Sequence, residues 1–360
     1  MFEQLTAFLD HFLDMGVPGY DCLLYKDGQE IFHHQGGYQD LERKLPMTGT
    51  ERYHIYSCSK PITCTAALQL YEQGLFRLED HLSDYLPEFK TMYVQGPDGL
   101  QPAKYPITIR DLFCMTAGFS YDFHSPSLEL ARQETGGRCP TRETIRYLAR
   151  EPLLFEPGQQ WKYSLCHDVL AALVEVLSGQ RFGAYVKAHI FDPLGMHNST
   201  FSLPLEELDT IAPQYTFDPR TRRPVCCGKG QQLGKLGSEY ESGGAGCVST
   251  ARDYIQFLEA LRVGDMILKT ETIDLMATNH LTPAQLKTFS DPVYGYGLGV
   301  RCSRGGDGLT DFGWGGAAGA FPFVDRAHGI TLYYAQHLLA PPNRAQRKQV
   351  LRYALADLGL

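Results

Sequence analysis

The sequence predicts an α/β protein of the α+β kind, with one antiparallel sheet built from both ends of the chain and a mainly helical lobe inserted between them. Strand-like runs occur early, at 20–25 and 29–34, and again late, between 295 and 337. Between them, from about 60 to 235, the apolar residues follow helical spacing. Strands at both ends of a chain with helices in the middle favour a single sheet flanked by helices.

This arrangement predicts two lobes that need not be separable domains. The sheet lobe combines residues 1–56 with 240–360, and the helical lobe covers 57–239. A cleft between two such lobes is the natural place for a ligand site.

The first elements have clear boundaries. An amphipathic helix opens the chain and ends at Gly16-Val17-Pro18, and the turn Lys26-Asp27-Gly28 joins the first two strands as a hairpin. In the middle of the chain we predict helices at 107–116, 141–150, 167–178 and 182–190. The later prediction is a helix at 250–261, strands at 295–302, 310–313, 318–324 and 329–337, and a final helix at 343–358.

Composition and charge favour a globular enzyme over a nucleic-acid-binding or membrane-surface protein. The chain has 360 residues, of which 43% are hydrophobic and 21% charged, and its formal net charge is −8. These values are ordinary for a globular enzyme and argue against a nucleic-acid partner or an anionic membrane surface. The basic cluster near the end is interpreted as the solvent face of the last helix; it comprises Arg344, Arg347, Lys348 and Arg352.

The start of the chain and its cysteines predict a cytoplasmic protein without a metal. The opening Met1-Phe2-Glu3-Gln4 lacks the basic region of an export signal, and no apolar run approaches the length of a membrane span. The ten cysteines have no disulfide-framework spacing and are expected to be reduced. There is no Cys-x-x-Cys and no His-Glu-x-x-His, so we expect no metal and no other cofactor.

The tetrapeptide Ser57-Cys58-Ser59-Lys60 lies where an extended aromatic stretch turns into an apolar helical pattern. Residues three apart on a helix share a face, so the hydroxyl and the amine come within mutual reach. A serine needs a neighbouring base to act as a nucleophile, and a helix N-terminus favours a developing oxyanion. On the tetrapeptide alone, an N-capping serine followed by a solvated lysine is an equally good interpretation.

Two further segments bear on Ser57. Tyr163 lies in a short turn before a helix, where a phenolate could accept the serine proton; a packed tyrosine is the alternative. The run Gly-Trp-Gly-Gly-Ala-Ala-Gly, from Gly313 to Gly319, is predicted on a strand edge. Its small residues would let a substrate approach the backbone N–H groups; a bulged edge strand with one buried Trp is the alternative.

Together these segments resemble the serine β-lactamase and penicillin-binding superfamily, in particular the class C-like branch that includes the family VIII carboxylesterases. The resemblance extends over nearly the whole chain. Four more segments match that branch in the same order: Met115–Phe119, Phe155–Gly158, Ile190–Met196 and Gly244–Asp253. The resemblance implies a β-lactamase/transpeptidase-like fold and a covalent acyl-serine mechanism.

The resemblance also assigns roles to residues. It implies that Ser57 is the nucleophile, Lys60 its activating partner and Tyr163 the general base that later serves as acid. The oxyanion hole would consist of the backbone N–H groups of Ser57 and Ala317.

Two departures from the family pattern favour an esterase. Leu165 stands where lactamases and peptidases of this branch carry Asn, and Trp314-Gly315-Gly316 replaces a third motif that usually begins with Lys or His. The resemblance to family VIII esterases includes this Trp-Gly-Gly. An apolar replacement of both polar contacts suits a small uncharged ester better than a peptide or an antibiotic.

Further residues are predicted to contact an ester or acyl substrate. Trp314, Gly315, Gly316, Leu165, Phe119, Tyr121 and His167 form this set, although a structural role for His167 is the stronger expectation. Three other functions stay open. They are an acyltransferase that delivers the acyl group to an alcohol, a β-lactamase or D-amino-acid peptidase, and a non-catalytic binding protein on the same fold.

Overall fold

The first helix and the first hairpin form as the sequence predicts. A computed structural model describes residues 2–96, 99–228, 235–306 and 308–360 of the chain. Helix α1 spans Glu3–Asp14, β1 spans Gly19–Lys26 and β2 spans Gln29–Asp40. Asp27 and Gly28 have φ values of 51° and 84°, the conformation of a two-residue turn whose twist matches the flanking strands.

The remaining elements follow in chain order. Up to residue 226 the strands are β3 Leu45–Pro46, β4 Tyr53–His54, β5 Tyr93–Gly96, β6 Gly99–Pro102, β7 Tyr215–Asp218 and β8 Arg223–Cys226. The helices of this part are α2 Ser59–Glu72, α3 Ile109–Cys114, α4 Pro126–Glu134, α5 Thr141–Leu148, α6 Cys166–Ser178 and α7 Phe182–Val186. The last third contains β9 Val248–Ser249, α8 Ala251–Val263, α9 Thr270–Met276, α10 Pro283–Leu286, β10 Gly295–Tyr296, β11 Arg301–Cys302, β12 Asp311–Phe312, β13 Phe321–Asp325, β14 Ile330–Gln336, β15 Leu338–Leu339 and α11 Val350–Leu358.

The main sheet is antiparallel and joins the two ends of the chain. Its strand order is β12-β13-β14-β1-β2-β3, and β1 from the start of the chain pairs with β14 from near its end. The register places Tyr20 opposite Gln336 and Lys26 opposite Ile330. The predicted sheet built from both termini is therefore confirmed.

Each face of the sheet packs against a separate apolar cluster. Along β1, Cys22 and Leu24 belong to a core shared with α1 and α11, whereas Leu23 belongs to the larger core on the opposite face. The larger core continues through α8 into the helical region, where α2 contributes Ile62 and α6 contributes Leu170. The boundaries predicted for the two lobes remain a prediction, since this core extends through both.

Several local predictions need correction. The stretch 295–302 forms only the two short strands β10 and β11, and the hairpins β5–β6 and β7–β8 were not predicted. The last helix begins with a 3₁₀ turn, Gln346–Gln349, and within it Arg347 is 8% exposed. Arg347 therefore does not belong to a solvent face, because its side chain packs under the sheet lobe beside Phe321.

The described residues contain no single helix that is long and apolar enough to cross a membrane. Helix α6 and the segment Phe182–Phe191 reach that length and composition only as a pair bent by 76°.

Buried histidines predict a loss of stability in mild acid. His337 lies between the rings of Tyr53 and Tyr215, and neither of its nitrogens has a hydrogen-bond partner among the described residues. Burial lowers the pKa of His337 to about 4. In the unfolded chain His337 is protonated below about pH 6.5, whereas in the folded chain it stays neutral down to about pH 4. The free energy of unfolding therefore decreases as pH falls from about 6.5 toward 4.

We expect His337→Phe to flatten this dependence by up to about 1.4 kcal/mol per pH unit, the value for one proton. Urea unfolding at several pH values between 7.5 and 4.5 would measure the slope. His197→Gln, at an exposed histidine without an ion pair among the described residues, is the matched control and should leave the slope unchanged. Equal slopes in His337→Phe and the parent protein would contradict the prediction.

Candidate active site

Ser57 lies in a single 3₁₀ turn, Tyr56–Cys58, between β4 and α2. Tyr56 has a φ of 48°, a left-handed conformation that is uncommon for a residue with a large side chain. Such a conformation stores about 1–3 kcal/mol of strain and is concentrated at functional sites. The chain therefore reverses sharply at the residue before Ser57.

Three hydrogen bonds hold this turn in place. The Ser59 hydroxyl donates to the Tyr56 carbonyl at 2.6 Å and accepts from the Cys247 N–H at 3.0 Å. The Tyr254 hydroxyl donates to the Cys58 carbonyl at 2.8 Å. The turn is thus fixed to the residue before β9 and to α8, which are far from it in sequence and which no local pattern around Ser57 indicates.

The phenol of Tyr163 meets Ser57 directly. Ser57 Oγ and Tyr163 Oη are 2.5 Å apart, so either oxygen can donate to the other. The ring of Tyr163 is stacked on Trp314, with centroids 6.0 Å apart and an interplanar angle of 15°. On another side Tyr121 approaches it edge-on at 4.9 Å. The three sequence-distant segments that carry Ser57, Tyr163 and Trp314 are therefore brought together.

Lys60 reaches the partner of Ser57 rather than Ser57 itself. Its side chain is fully buried, and Nζ donates to the Gly244 carbonyl at 2.6 Å. Nζ also lies 4.4 Å from the centre of the Tyr163 ring, where a cation is attracted to the aromatic face. Within the described residues no hydrogen bond joins Lys60 Nζ to Ser57 Oγ.

Asp168 supplies a buried carboxyl group close to Lys60. Its Oδ1 accepts from the hydroxyls of Tyr240 at 2.9 Å and Ser242 at 2.6 Å. A Cβ on Gly244 would lie 2.7 Å from Asp168 Oδ2 and 3.2 Å from Lys60 Nζ, so the two charged groups both border this glycine. Burial raises the pKa of Asp168, while the two hydroxyls and Lys60 oppose that rise. Asp168 lies in the first turn of α6, and no local sequence pattern indicates that it is close to Lys60.

The segment Gly313–Gly319, the third of the three that meet at the site, forms a turn and not the strand edge that the sequence predicted. The Gly316 N–H donates to the Ala320 carbonyl at 2.8 Å, and the Gly319 N–H donates to the Gly316 carbonyl at 3.1 Å. Gly319 has a φ of 108°, which a side chain rarely adopts, and β13 begins only at Phe321. Ala317 lies exposed in this turn.

The turn packs closely against the residue that starts the Ser57 turn. A Cβ on Gly316 would lie 2.4 Å from the Ile55 carbonyl oxygen, so only glycine fits there. Neither Ser57 nor Ala317 donates a backbone hydrogen bond to another of the described residues. Both N–H groups are therefore free to bind an oxyanion, as the resemblance implies for this pair.

Gly316→Ala should push the two turns apart. We expect the free energy of unfolding to fall by about 1–3 kcal/mol, the usual result of inserting a methyl group into a closely packed site. Urea unfolding measures this difference. Gly96→Ala is the comparison because its Cβ would be 3.3 Å from the Gly99 carbonyl oxygen, a much smaller overlap than the 2.4 Å at Gly316. A Gly316→Ala variant as stable as Gly96→Ala would contradict the close packing.

Other predicted contact residues are distributed differently. Tyr121 is 36% exposed next to Tyr163, and a Cβ on Gly315 would meet the Phe321 ring at 2.6 Å. Phe119 and Leu165, by contrast, are buried in the larger core. Their role in substrate binding stays a prediction that this placement does not support.

His167 points into the core as well. Its Nε2 lies 3.2 Å from the Phe113 carbonyl, and the side chain is fully buried. Burial, together with the Lys60 cation, lowers the pKa of His167 to about 3. The structure therefore does not bring His167 to the cleft, and the structural role is the better interpretation.

A cleft of about 520 Å³ opens beside Tyr163. It is lined by Gln160, Trp161, Lys162, Tyr163 and Thr288. No local sequence pattern indicates Thr288, whose hydroxyl accepts from the Trp161 N–H at 2.9 Å and so places it at the cleft. No group of three or more His, Cys, Asp or Glu side chains among the described residues could hold a metal ion.

This geometry can support nucleophilic acyl transfer. The Ser57 hydroxyl can pass its proton across 2.5 Å to Tyr163, and the Lys60 cation beside the ring stabilises a phenolate. Two free N–H groups at Ser57 and Ala317 can receive the oxyanion of a tetrahedral intermediate.

Comparison with known proteins gives consistent matches over the whole chain. A family model described as Beta-lactamase matches residues 5–356. Esterase EstB of Burkholderia gladioli is 29% identical over 359 residues, which cover 91% of this chain and 89% of EstB. Lovastatin esterase of Penicillium rubens is 28% identical over 372 residues, which cover 92% of each protein.

A solved structure agrees with these matches. The hydrolase EstCE1, described as having promiscuous acyltransferase activity, superimposes with a TM-score of 0.82 and 27% identity. The superposition covers 98% of this chain and 97% of EstCE1.

Proposed function

Since the chain belongs to the β-lactamase family and is an esterase-like serine hydrolase, we propose that it cleaves small uncharged carboxylic esters through an acyl-Ser57 intermediate. The observation that carries the proposal is the 2.5 Å contact between Ser57 Oγ and Tyr163 Oη beside the buried Lys60. The family resemblance seen in the sequence is confirmed by the matches to esterases.

The surroundings of Tyr163 support an ester over a charged substrate. The family resemblance implies that Trp314 stands where lactamases and peptidases carry a cation for a substrate carboxylate, and its indole is stacked on Tyr163. Tyr121 and Trp161 add further aromatic surface around the same ring. Aromatic surface favours the apolar acyl or alcohol part of an ester and gives a carboxylate no compensating charge.

In the proposed reaction Tyr163 accepts the Ser57 proton as Oγ attacks the ester carbonyl. The N–H groups of Ser57 and Ala317 stabilise the resulting oxyanion. Tyr163 then returns the proton to the leaving alcohol, which leaves the acyl group on Ser57. A water molecule that loses its proton to Tyr163 attacks this acyl group and releases the acid, and the proton goes back to Ser57.

Intact-protein mass spectrometry after incubation with p-nitrophenyl acetate or butyrate tests the proposal. We expect release of p-nitrophenol and a mass increase of one acyl group, because acylation by an activated ester outpaces deacylation. Ser57→Ala should show neither.

Ser178→Ala is the matched control. This serine caps the end of α6 by donating to the Val174 carbonyl and has no contact with Tyr163 in the described residues. It should acylate like the parent protein. Absence of an adduct and of p-nitrophenol in the parent protein, or an adduct that persists in Ser57→Ala, would overturn the proposal.

A second candidate function is acyl transfer to an alcohol. It is favoured by the similarity to EstCE1, whose description includes promiscuous acyltransferase activity. Both functions share the acyl-Ser57 intermediate and differ in the acceptor. Product analysis with an added primary alcohol distinguishes them: a new ester that grows at the expense of free acid indicates transfer, and acid alone indicates hydrolysis.

A further inference from the structure

Arg347 is a buried cation that belongs to none of the predicted catalytic or substrate-binding sets. It lies in the 3₁₀ turn before α11, with its side chain 8% exposed. Among the described residues no carboxylate comes within ion-pair distance of it, whereas the neighbouring buried Arg301 is paired with Asp311 at 2.7 Å. An unpaired buried charge is costly, and burial lowers the pKa of Arg347 to about 10.

The guanidinium makes one hydrogen bond to the turn within Gly313–Gly319, and the acceptor is the carbonyl of the Gly316–Ala317 peptide group. Arg347 Nη1 donates to the Gly316 carbonyl at 3.1 Å. The N–H of that same peptide group belongs to Ala317 and donates no backbone hydrogen bond to the described residues. A cation bound to a peptide carbonyl draws electron density toward the oxygen and makes the N–H at the other end a stronger donor.

The position of Arg347 is itself fixed. Its backbone N–H donates to the Asn343 carbonyl at 2.9 Å, and the Asn343 amide donates to Gln336 at 3.0 Å on β14. The guanidinium also lies 5.5 Å from the centre of the Phe321 ring, at the start of β13. These contacts hold the arginine against the turn from the side of the main sheet.

We propose that Arg347 is a positioning residue of the oxyanion hole, holding and polarising the Gly316–Ala317 peptide group so that the Ala317 N–H binds the developing oxyanion. The inference rests on the proposed function, because it concerns the acylation of Ser57. The proposal gives Arg347, near the end of the chain, a role in a site whose other residues are Ser57, Lys60, Tyr163 and the segment Gly313–Gly319.

The test compares Arg347→Gln and Arg347→Lys with Arg352→Gln. Glutamine keeps a hydrogen-bond donor but removes the positive charge. Lysine keeps the charge but lacks the planar guanidinium and has a different length. Arg352 is an exposed arginine of α11 and serves as the matched control. Acylation rates with p-nitrophenyl butyrate are divided by the burst amplitude, so that only folded sites are counted.

We expect Arg347→Gln to lower kcat/KM roughly tenfold with little change in KM, because an indirect effect should be smaller than the 10²–10³-fold loss of an oxyanion donor. Arg347→Lys should lose less, and Arg352→Gln should match the parent protein. The decisive readout is the infrared band of the acyl carbonyl, recorded with carbonyl-labelled p-nitrophenyl acetate. A weaker oxyanion hole polarises the carbonyl less, so the band should move to higher frequency in both Arg347 variants.

An unshifted acyl carbonyl band in the Arg347 variants would overturn the inference, even if their rates fall, since a purely structural role would not change the polarisation of the acyl group. If Arg347→Gln does not fold, the band of Arg347→Lys decides in the same way. A parent protein without a Ser57-dependent adduct would overturn the proposed function and this inference together. If the parent protein is acylated and the Arg347 variants behave like it in both rate and carbonyl band, the inference about Arg347 is overturned while the proposed function stands.

Discussion

Tyr163→Phe should lower kcat/KM for p-nitrophenyl butyrate by about a thousandfold, within the 10²–10⁴ range typical of a general acid–base group. The substitution removes only the oxygen that lies 2.5 Å from Ser57 Oγ. The ring itself keeps its stacking on Trp314 and its edge contact with Tyr121. The acyl adduct should therefore form much more slowly, while the fold and the affinity for the ester change little.

Pre-steady-state release of p-nitrophenol measures the acylation step, and urea unfolding measures the stability. Tyr147→Phe is the control, since Tyr147 lies on α5 and its hydroxyl contacts only Glu134 among the described residues. This variant should keep the parent rate. If Tyr163→Phe acylated as fast as Tyr147→Phe, another group would have to accept the serine proton, and the role assigned to Tyr163 would be wrong.

Sequence reasoning found the segments that meet at the site because each had a local signal. Ser57 begins an apolar helical pattern, Tyr163 precedes another helix, and Trp314 starts a run of small residues. A family motif also preserves order along the chain, so several weak matches reinforce one another. The sheet from both termini followed from the early and late strand patterns, which the pairing of β1 with β14 confirms.

What sequence reasoning missed depends on contacts between distant segments. Arg347 has charged neighbours in sequence and was interpreted as exposed, but the packing of α11 on the sheet buries it next to Gly316. Asp168 matched the pattern of a first-turn carboxylate, and only the fold brings Tyr240 and Ser242 to it. In both cases burial reverses the usual environment of a charged side chain, and burial is not encoded in local spacing.

The strand predicted at 318–324 forms as β13 but begins only at Phe321, for a related reason. The residues at its start are small and apolar, which suits a strand edge, but Gly319 adopts a φ of 108° and the chain turns there. Three residues earlier, Gly316 packs so closely on the Ile55 carbonyl that a Cβ would lie 2.4 Å from its oxygen. Tertiary packing against the Ser57 turn thus outweighs the local preference for a strand.

Lys60→Met should abolish most of the activity and also destabilise the protein. Lys60 Nζ loses its bond to the Gly244 carbonyl and its place beside the Tyr163 ring. Asp168, fully buried, then loses the cation that opposes the rise of its pKa. Removing one member of a buried ion pair costs about 3–5 kcal/mol, and the loss here should be smaller because no ion pair joins Lys60 to Asp168 among the described residues and because protonation can neutralise Asp168.

The double variant Lys60→Met/Asp168→Asn separates stability from catalysis. Asparagine keeps an oxygen for the hydroxyls of Tyr240 and Ser242 but carries no charge, so we expect it to restore about 1–3 kcal/mol of the lost stability. Activity should not return, because the cation beside Tyr163 is still absent. The control cycle uses the exposed pair Lys187 and Asp192, whose coupling should be below about 1 kcal/mol.

Urea unfolding and ester turnover of the single and double variants provide both readouts. If Asp168→Asn failed to stabilise the Lys60→Met protein, the two groups would not be coupled across Gly244, and Asp168 would act only through its hydroxyl partners. If activity returned with stability, Lys60 would be needed for folding rather than for the reaction. The expected outcome, recovery of stability without recovery of turnover, assigns the Lys60 cation to the chemistry at Tyr163 and the Asp168 carboxylate to holding that cation in a buried site.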